Sequence, residues 1–342
     1  MNSTIFNIKK YCMALLLGAI LANATACKEW TEVKPIDIAN PDLEQQNPAL
    51  YAKYLEDLRA YKNMPHKINI GWFNNSKKQP TSQGEHIAKV PDSLDFIVLD
   101  HPLSLADREI TEMTELFEKK GTKVIYEIDF NAIKTDFIKK EDKNLVFDDF
   151  AKDTINSILN TTDRFPYQGL IVSYQGKELT HLNTTEIAQL EAEENLFFGL
   201  LRPWFEKNRS KAVFFKGSPQ YLINRNILQQ AKYIILPTEN SIDRGGLSYA
   251  LLSAIANNIP TDKFVVTASM TSYKADEAKL GYFQDGSRAA IATAQWAASL
   301  QNGLQIQGVG FKNLSYDYFN VLKSYQYSRQ AIQITNPAIK TK

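Results

Sequence analysis

The feature that most constrains the fold is a regular alternation of short β-rich runs with longer helical segments, repeated about eight times from residue 67 onward. The β-rich runs cover residues 67–72, 95–100, 123–128, 169–174, 212–216, 233–236, 264–268 and 304–309. Strands that alternate with helices pair in parallel, and eight such units close most simply into a barrel. The alternation therefore predicts an α/β fold, a (β/α)8 TIM barrel. A doubly wound open sheet is the alternative, but no glycine-rich phosphate-binding turn follows any of the runs.

The segments between the runs have the apolar spacing of helices, and many of them begin with Ser, Thr, Asp or Pro. They cover residues 104–120, 147–159, 184–207, 219–231, 246–256 and 287–300. An earlier segment, residues 47–61, places Leu50, Tyr54 and Leu58 on one face and predicts a helix ahead of the barrel. Residues 74–94 lack this spacing and are expected to be mostly loop.

The N-terminus has the organisation of a bacterial export signal. Lys9 and Lys10 precede an apolar run over residues 13–22 that is too short to cross a bilayer. The run leads through Ala-Thr-Ala into Cys27, which resembles the processing site of bacterial lipoproteins. We therefore expect residues 1–26 to be a signal peptide and Cys27 to carry lipid. An ordinary secretory signal followed by a coincidental cysteine is the simpler alternative.

The residues after the cysteine predict where the protein is displayed. Lys28 and Glu29 resemble the export tag of Bacteroidota surface lipoproteins, although Trp30 interrupts the acidic part of the tag. We expect a protein that is lipid-anchored in the outer membrane and exposed on the cell surface. Residues 27–46 are expected to form the tether, and residues 47–335 a single barrel domain.

Composition argues against several kinds of partner and cofactor. The net charge is +1, which argues against nucleic acid because phosphate binding needs concentrated Lys and Arg. Cys12 and Cys27 both fall in the processed segment, which leaves no disulfide and no cysteine-based metal site. The four histidines have no metal-ligand spacing such as His-x-x-x-His. We expect neither a metal nor another cofactor.

The fourth β-rich run gives the strongest indication of a family. Residues 167–176 read Tyr-Gln-Gly-Leu-Ile-Val-Ser-Tyr-Gln-Gly. This run, placed on the fourth of eight strands, resembles the signature strand of glycoside hydrolase family 18, the chitinases and endo-β-N-acetylglucosaminidases. That signature is Asp-Gly-x-Asp-x-Asp-x-Glu, with an aromatic residue before the Glu. Gly169 and Tyr174 match it, whereas neutral residues occupy the acidic positions: Gln168, Ile171, Ser173 and Gln175.

The resemblance implies a reaction for which these residues are unsuited. In family 18 the glutamate protonates the leaving oxygen, and the aspartate two residues earlier steadies the substrate's own N-acetyl group. The amide of Gln175 cannot donate that proton, and the hydroxyl of Ser173 carries no charge. General acid catalysis contributes about 10²- to 10⁴-fold to a rate. We therefore expect no enzyme activity by the family route, although both side chains can hydrogen-bond a sugar.

Carboxylates near other strand ends leave open an active hydrolase with a relocated acid and base. These carboxylates are Asp100, Glu127, Asp129, Glu178 and Glu239. Asp129 is the best single candidate because it lies at the exit of the third strand. The simpler interpretation is that Glu127 and Asp129 are partnered structural carboxylates, since isolated acids at strand ends also occur in inert barrels.

Candidate ligand-binding residues are those near the presumed carboxyl ends of strands, where barrels of this kind bind their ligands. Trp72 is the most plausible platform for a sugar ring, and burial in the core is an equal alternative for it. The full set of candidates is Trp72, Asn74, Asn75, Asp129, Tyr174, Gln175, Lys216, Asn240 and Tyr273.

These observations and the resemblance lead to one expectation for function. We expect a catalytically inactive, family-18-like surface lipoprotein that captures oligosaccharides containing N-acetylglucosamine, N-glycans foremost. Proteins of the resembling class sit beside an outer-membrane importer complex and pass the captured glycan to it. Two alternatives remain: an active endo-β-N-acetylglucosaminidase, and a structural or adhesive lipoprotein without affinity for sugar.

Overall fold

The computed structural model describes residues 43–141, 143–256, 258–320 and 322–337. The chain divides into two units, residues 1–52 and 53–342. The predicted signal peptide, Cys27 and the export tag lie outside the described residues. In the first unit a short helix covers Leu43–Gln46, within the stretch expected to be a tether. The next helix, Pro48–Asn63, corresponds to the helix predicted over residues 47–61.

Eight parallel strands close into a barrel in chain order, with the last strand paired to the first. The strands are β1 (Ile68–Phe73), β2 (Phe96–Leu99), β3 (Lys123–Asp129), β4 (Gly169–Tyr174), β5 (Ala212–Gly217), β6 (Tyr233–Leu236), β7 (Phe264–Ser269) and β8 (Gly308–Lys312). This closure confirms the predicted (β/α)8 barrel. It also brings the carboxyl ends of all eight strands together at one end, which we call the mouth.

The eighth strand differs most from its prediction, since it begins at Gly308 and not at residue 304. Gln301 and Leu304 pair in an antiparallel bridge, so the chain turns there before Gly308 pairs with Ile68 of β1. Glycine is required at position 310, because a Cβ there would lie 2.7 Å from Cζ3 of Trp72. The lack of a side chain at Gly310 leaves room for the indole where β8 closes the barrel.

Helices connect the strands and pack on their outer faces. They cover Asp107–Lys120, Phe130–Lys139, Phe147–Thr162, Thr184–Lys207, Asn226–Gln230, Arg244–Ala254, Ala289–Ala298 and Gln326–Thr335. The helices Phe130–Lys139 and Gln326–Thr335 were not predicted. The expected loop over residues 74–94 contains two 3-10 turns, Gln83–Glu85 and Ile87–Lys89.

The helix predicted over residues 219–231 is divided in two. A 3-10 turn covers Pro219–Tyr221, and the α-helix begins only at Asn226. Between them the carboxylate of Glu194 accepts hydrogen bonds from the backbone N–H groups of Ile223 and Asn224, at 3.1 and 2.9 Å. Because these bonds hold a non-helical turn, a distant carboxylate overrides the local helical pattern.

The barrel interior forms its own apolar core, separate from the layer between strands and helices. Alternate residues of each strand point inward, so β1 contributes Ile68, Ile70 and Trp72 to the interior and Phe73 to the outer layer. Phe96 and Phe214 meet edge to face at 4.9 Å inside the barrel. The interior is therefore a packed core, and a ligand has access to the barrel only at its ends.

Among the described residues, no helix combines the length and the apolar character needed to cross a membrane.

Candidate functional site

Glu127, on β3, is the centre of a buried polar cluster below the mouth. Lys216 Nζ, on β5, lies 2.5 Å from Glu127 Oε1, and Trp72 Nε1, on β1, donates to Glu127 Oε2 at 3.2 Å. The side chains of Glu127 and Lys216 are only 16% and 13% exposed. All three come from strands that are not neighbours, so only closure of the barrel brings them together.

Lys312, at the end of β8, completes this group. Its Nζ lies 3.8 Å from the ring centroid of Trp72, within the range of a cation–π interaction. Burial lowers the pKa of Lys312; Glu127 opposes that shift, and the like charge of Lys216 adds to it. We call Trp72, Glu127, Lys216 and Lys312 the floor cluster.

The electrostatics of the floor cluster keep Glu127 ionised. Burial disfavours its charged form, but Lys216, Lys312 and the hydrogen bonds from Lys216 and Trp72 outweigh that effect, and the pKa of Glu127 lies below its ordinary value of 4.5. A general acid must hold a proton near neutral pH. Glu127 is therefore a partnered carboxylate, the simpler of the two interpretations open from the sequence.

Asp129, at the end of β3, has two structural partners. Its Oδ1 accepts the backbone N–H of Ala132 at 3.0 Å and so caps the helix Phe130–Lys139. Its Oδ2 accepts the hydroxyl of Ser173, on β4, at 3.1 Å. The residue that the sequence singled out as the best relocated acid is thus the N-cap of the unpredicted helix.

The four neutral residues at the acidic positions of the family signature lie in four different environments, on β4 and next to it. Ile171 is fully buried in the apolar interior of the barrel. Ser173 is buried against Asp129, whereas the exposed Gln175 donates from Nε2 to Ser218 Oγ at 2.7 Å. Gln168 precedes the strand and donates weakly to Pro166 O at 3.4 Å. Of the four, Gln175 alone presents a polar side chain to solvent at the mouth.

Three residues proposed from the sequence as ligand contacts are buried: Trp72, Asn75 and Tyr174. Trp72 is 3% exposed, and Lys312 lies over its ring, so the indole offers no open face to a sugar. Asn75, also 3% exposed, donates from Nδ2 to His101 O and to Glu109 Oε1, at 3.1 and 3.0 Å. These bonds tie the loop after β1 to the loop after β2 and to a helix. Both side chains are held by the protein itself.

Tyr174 faces the outside of the barrel, because successive residues of a strand point to opposite faces. It is 3% exposed, and its ring packs against Phe130, Phe197 and Phe198 at centroid distances of 5.6, 6.1 and 5.7 Å. Burial raises the pKa of its hydroxyl. This placement makes Tyr174 part of the packing between strand and helix and not part of the mouth.

Asn74, Asn240 and Tyr273, in contrast, are exposed in loops that follow β1, β6 and β7. The side chain of Tyr273 is 69% exposed, and its ring meets Tyr316, from the loop after β8, at 5.5 Å and 66°. Phe319 in the same loop is 64% exposed. The rings of Tyr273 and Tyr316 form an open aromatic rim beside the mouth.

Sequence reasoning missed Lys312, Tyr316 and Phe319. The predicted eighth strand ended at residue 309, so Lys312 fell outside the predicted strand. With the strand placed at Gly308–Lys312, its last inward position is Lys312 and the following aromatic residues fall at the mouth. The phase of the strand Gly-Val-Gly-Phe-Lys was the signal that could have located them.

The remaining strand-end carboxylates, Glu239, Glu178 and Asp100, have different surroundings. Glu239 accepts the hydroxyl of Thr267 at 2.5 Å, and the exposed Glu178 accepts that of Thr180 at 3.2 Å. Burial raises the pKa of Asp100, and the charge of Lys312 opposes that shift. Within the described residues, no three His, Cys, Asp or Glu side chains are grouped so that they could hold a metal ion.

The chain is similar to one family model and to several solved structures. The model described as glycoside hydrolase family 18, BT1044-like, matches residues 31–334. A solved selenomethionine form of BT1044 carrying one glutamate-to-glutamine replacement has a TM-score of 0.61 at 19% identity, over 87% of this chain and 96% of that one. No protein of curated function matches the sequence.

Two further similar structures come from one fungal enzyme. The endo-β-N-acetylglucosaminidase of Cordyceps militaris, in its apo form, has a TM-score of 0.59 at 16% identity, over 83% of this chain and 96% of that one. A doubly substituted form of that enzyme, in complex with fucosyl-N-acetylglucosamine-Asn, has a TM-score of 0.57 at 18% identity, over 83% and 95% of the two chains. At these identities the likeness shows a shared fold.

Proposed function

The chain belongs to the BT1044-like group of glycoside hydrolase family 18, and from this premise we propose that it binds oligosaccharides containing N-acetylglucosamine at the mouth of its barrel without cleaving them. The observation that carries the proposal is the chemistry of β4 and its exit. An amide, Gln175, occupies the position of the family's proton donor, and a hydroxyl, Ser173, occupies that of the aspartate two residues earlier. These two positions keep hydrogen-bonding groups and have none of the family's acids.

The surroundings support the absence of hydrolysis beyond the two substitutions. Ile171 sits in the apolar interior, where an aspartate would be a buried charge without a partner. Glu127 is ionised and bound by Lys216 and Trp72, so it has no proton to donate to a leaving oxygen. Asp129 uses both of its oxygens, one for Ala132 and one for Ser173.

The substrate class rests on the family and on the relatives. The fungal relative is an endo-β-N-acetylglucosaminidase, and one of its forms holds fucosyl-N-acetylglucosamine-Asn. We extend that ligand chemistry, the core of an N-glycan, to this chain. The aromatic rim suits it, because the exposed ring of Tyr273 can stack on the C–H face of a sugar. The exposed amides of Asn74, Gln175 and Asn240 can hydrogen-bond its hydroxyls.

We further propose that the protein acts at the cell surface, anchored in the outer membrane through lipid on Cys27. A tethered protein that binds without cutting is useful where it is anchored, since it raises the local concentration of glycan beside an importer complex. This role needs neither a metal nor a cofactor.

The test compares binding with cleavage on the same preparation. The purified protein is incubated at high concentration with an N-glycoprotein and with chitooligosaccharides, released glycan is measured by mass spectrometry, and binding is measured by calorimetry and on a glycan array. We expect binding and no release. Reproducible release would establish the alternative of an active hydrolase. Absence of binding to every glycan would instead favour a structural or adhesive role.

Tyr273→Ala is expected to weaken glycan binding about tenfold, or about 1.4 kcal/mol, because it removes an open stacking face from the rim. The matched control is Tyr249→Ala, since Tyr249 is 75% exposed but lies on the outer helix Arg244–Ala254. Calorimetry on both variants checks the prediction. Equal affinity of the two variants would remove Tyr273 from the binding site.

A further inference from the structure

A second charged region lies at the opposite, N-terminal end of the barrel. A cavity of about 750 Å³ opens there, where β3, β5 and β6 begin. One carboxylate, Glu206, and a group of cationic side chains line it. The cations are Lys123, Arg202, Arg209, Lys211 and Lys232. We call this region the basic cavity.

The positive charges of the basic cavity are not neutralised by the protein. Within the described ranges, none of its cations lies within 4.0 Å of a carboxylate oxygen. Three of them lie near aromatic rings: the Nζ atoms of Lys123, Lys211 and Lys232 lie 5.9, 6.0 and 5.6 Å from ring centroids. A ring attracts a cation but carries no net charge, so five cations and one carboxylate leave the lining of the basic cavity with a net positive charge.

This arrangement carries an electrostatic cost in the unliganded protein. Burial lowers the pKa of Lys123, and the like charge of Lys232 lowers it further, against an opposing effect of Asp95. Burial likewise lowers the pKa of Lys211. Lysines in such surroundings repel one another, and an anion placed between them would stabilise their charged forms.

A smaller cavity extends the same positive region. Its volume is about 280 Å³, and it shares Lys123 and Lys232 with the basic cavity. It adds Lys62, whose pKa burial lowers to about 8. Its one carboxylate, Asp95, is already paired with His66 at 2.8 Å. The smaller cavity therefore adds one lysine, and its carboxylate is already held by His66.

We propose that the basic cavity binds a ligand whose negative charge is carried by phosphate, either a free phosphorylated compound or the phosphate headgroup of an anionic lipid. Arg202 and Arg209 supply planar guanidinium groups, each of which can donate two parallel hydrogen bonds to a pair of phosphate oxygens. The lysines supply point charges around them. A volume of about 750 Å³ is in the range of small-molecule sites. This site is at the far end of the barrel from the mouth and does not depend on glycan binding.

The experiment uses two probes on the full chain. Calorimetry measures inorganic pyrophosphate at 50 and 500 mM salt, and a flotation assay compares vesicles of phosphatidylglycerol with vesicles of phosphatidylcholine. We expect pyrophosphate to bind, and to bind more weakly at the higher salt concentration because the contacts are ionic. Preferential binding to phosphatidylglycerol over phosphatidylcholine vesicles would identify a lipid headgroup as the source of the phosphate; pyrophosphate binding without such a preference would identify a free compound.

The variant Arg209→Glu/Lys232→Glu reverses two exposed charges of the cavity and should weaken pyrophosphate binding at least tenfold. The control Lys143→Glu/Lys152→Glu makes the same charge change at exposed positions elsewhere and should change the affinity less than twofold. Circular dichroism verifies folding, and Arg209→Gln/Lys232→Gln repeats the test without new carboxylates. The proposal is overturned if the unsubstituted protein binds neither probe, or if the cavity variants bind as tightly as the control.

Discussion

Replacing Lys216 with methionine is expected to lower the free energy of unfolding by about 3–5 kcal/mol, the range for removing one partner of a buried ion pair. Glu127 would remain in the floor cluster with its hydrogen bond from Trp72 but without the ammonium 2.5 Å away. The charge of Lys312 compensates in part, so we expect a loss near the lower end of that range. Chemical denaturation at neutral pH measures it.

The pH dependence of this loss separates electrostatics from packing. The folded-state pKa of Glu127 lies below its ordinary value of 4.5, so the carboxylate contributes stability above that value and loses it as pH falls through the folded-state pKa. In Lys216→Met the folded-state pKa of Glu127 should rise. The difference in stability between the two proteins should therefore shrink as the solution is acidified below about pH 4.5.

Two controls accompany the Lys216 variant. Lys207→Met breaks the ion pair with Asp163, whose lysine is 69% exposed, and should change stability by no more than about 1 kcal/mol. Glu127→Gln/Lys216→Met removes both charges and should recover much of the loss, because a neutral amide is cheaper to bury alone than a carboxylate. A loss that is the same in the double variant and independent of pH would contradict the electrostatic explanation.

Trp72→Ala is the second large effect, with an expected loss of about 3–5 kcal/mol in the free energy of unfolding, as for other buried aromatic residues replaced by alanine. The indole is 3% exposed, lies against Gly310 and Lys312, and donates to Glu127. Its removal leaves a cavity between β1 and β8 and one hydrogen bond fewer on a buried carboxylate.

Trp72→Phe keeps most of the ring and should lose less stability than the alanine variant, since its cavity is smaller. Denaturation measures stability, and calorimetry on the folded protein measures glycan affinity. We expect both Trp72 variants to affect stability more than affinity, with Tyr273→Ala showing the reverse. If Trp72→Ala leaves stability unchanged but abolishes glycan affinity, the indole is instead a platform for a sugar ring.

Several elements of the fold could be read directly from the sequence. The limits of β4 (Gly169–Tyr174) and β6 (Tyr233–Leu236) match their predicted runs to the residue. Glutamine flanks the first run on both sides, and Lys232 and Pro237 flank the second, which leaves little choice of boundary. The helix Phe130–Lys139 could not be read in this way. It depends on a cap by Asp129, and an aspartate after a strand is equally typical of a loop or a catalytic site.

The candidate site was predictable only in part, because many of its contacts join residues that are far apart in the sequence. The residues at the signature positions follow from a count along one strand, so the loss of the acids is visible in the sequence as Gln168, Ile171, Ser173 and Gln175. Whether a neighbouring side chain is exposed or buried depends on the phase of its strand and on the elements that pack against it. Tyr174 and Asn75 look alike in sequence as strand-end groups, yet one packs outside the barrel and the other joins two loops.

The sequence by itself determined the barrel, because the alternation of apolar strand and helix patterns is a property of consecutive residues. It also determined that β4 carries no family acid. Only the tertiary structure decided the state of the mouth. Trp72, Glu127, Lys216 and Lys312 come from four strands far apart in the chain, and their contacts exist only once β8 pairs with β1. Whether a carboxylate acts as an acid or as an ion-pair partner depends on the charges within a few ångströms of it, and closure of the barrel sets those charges.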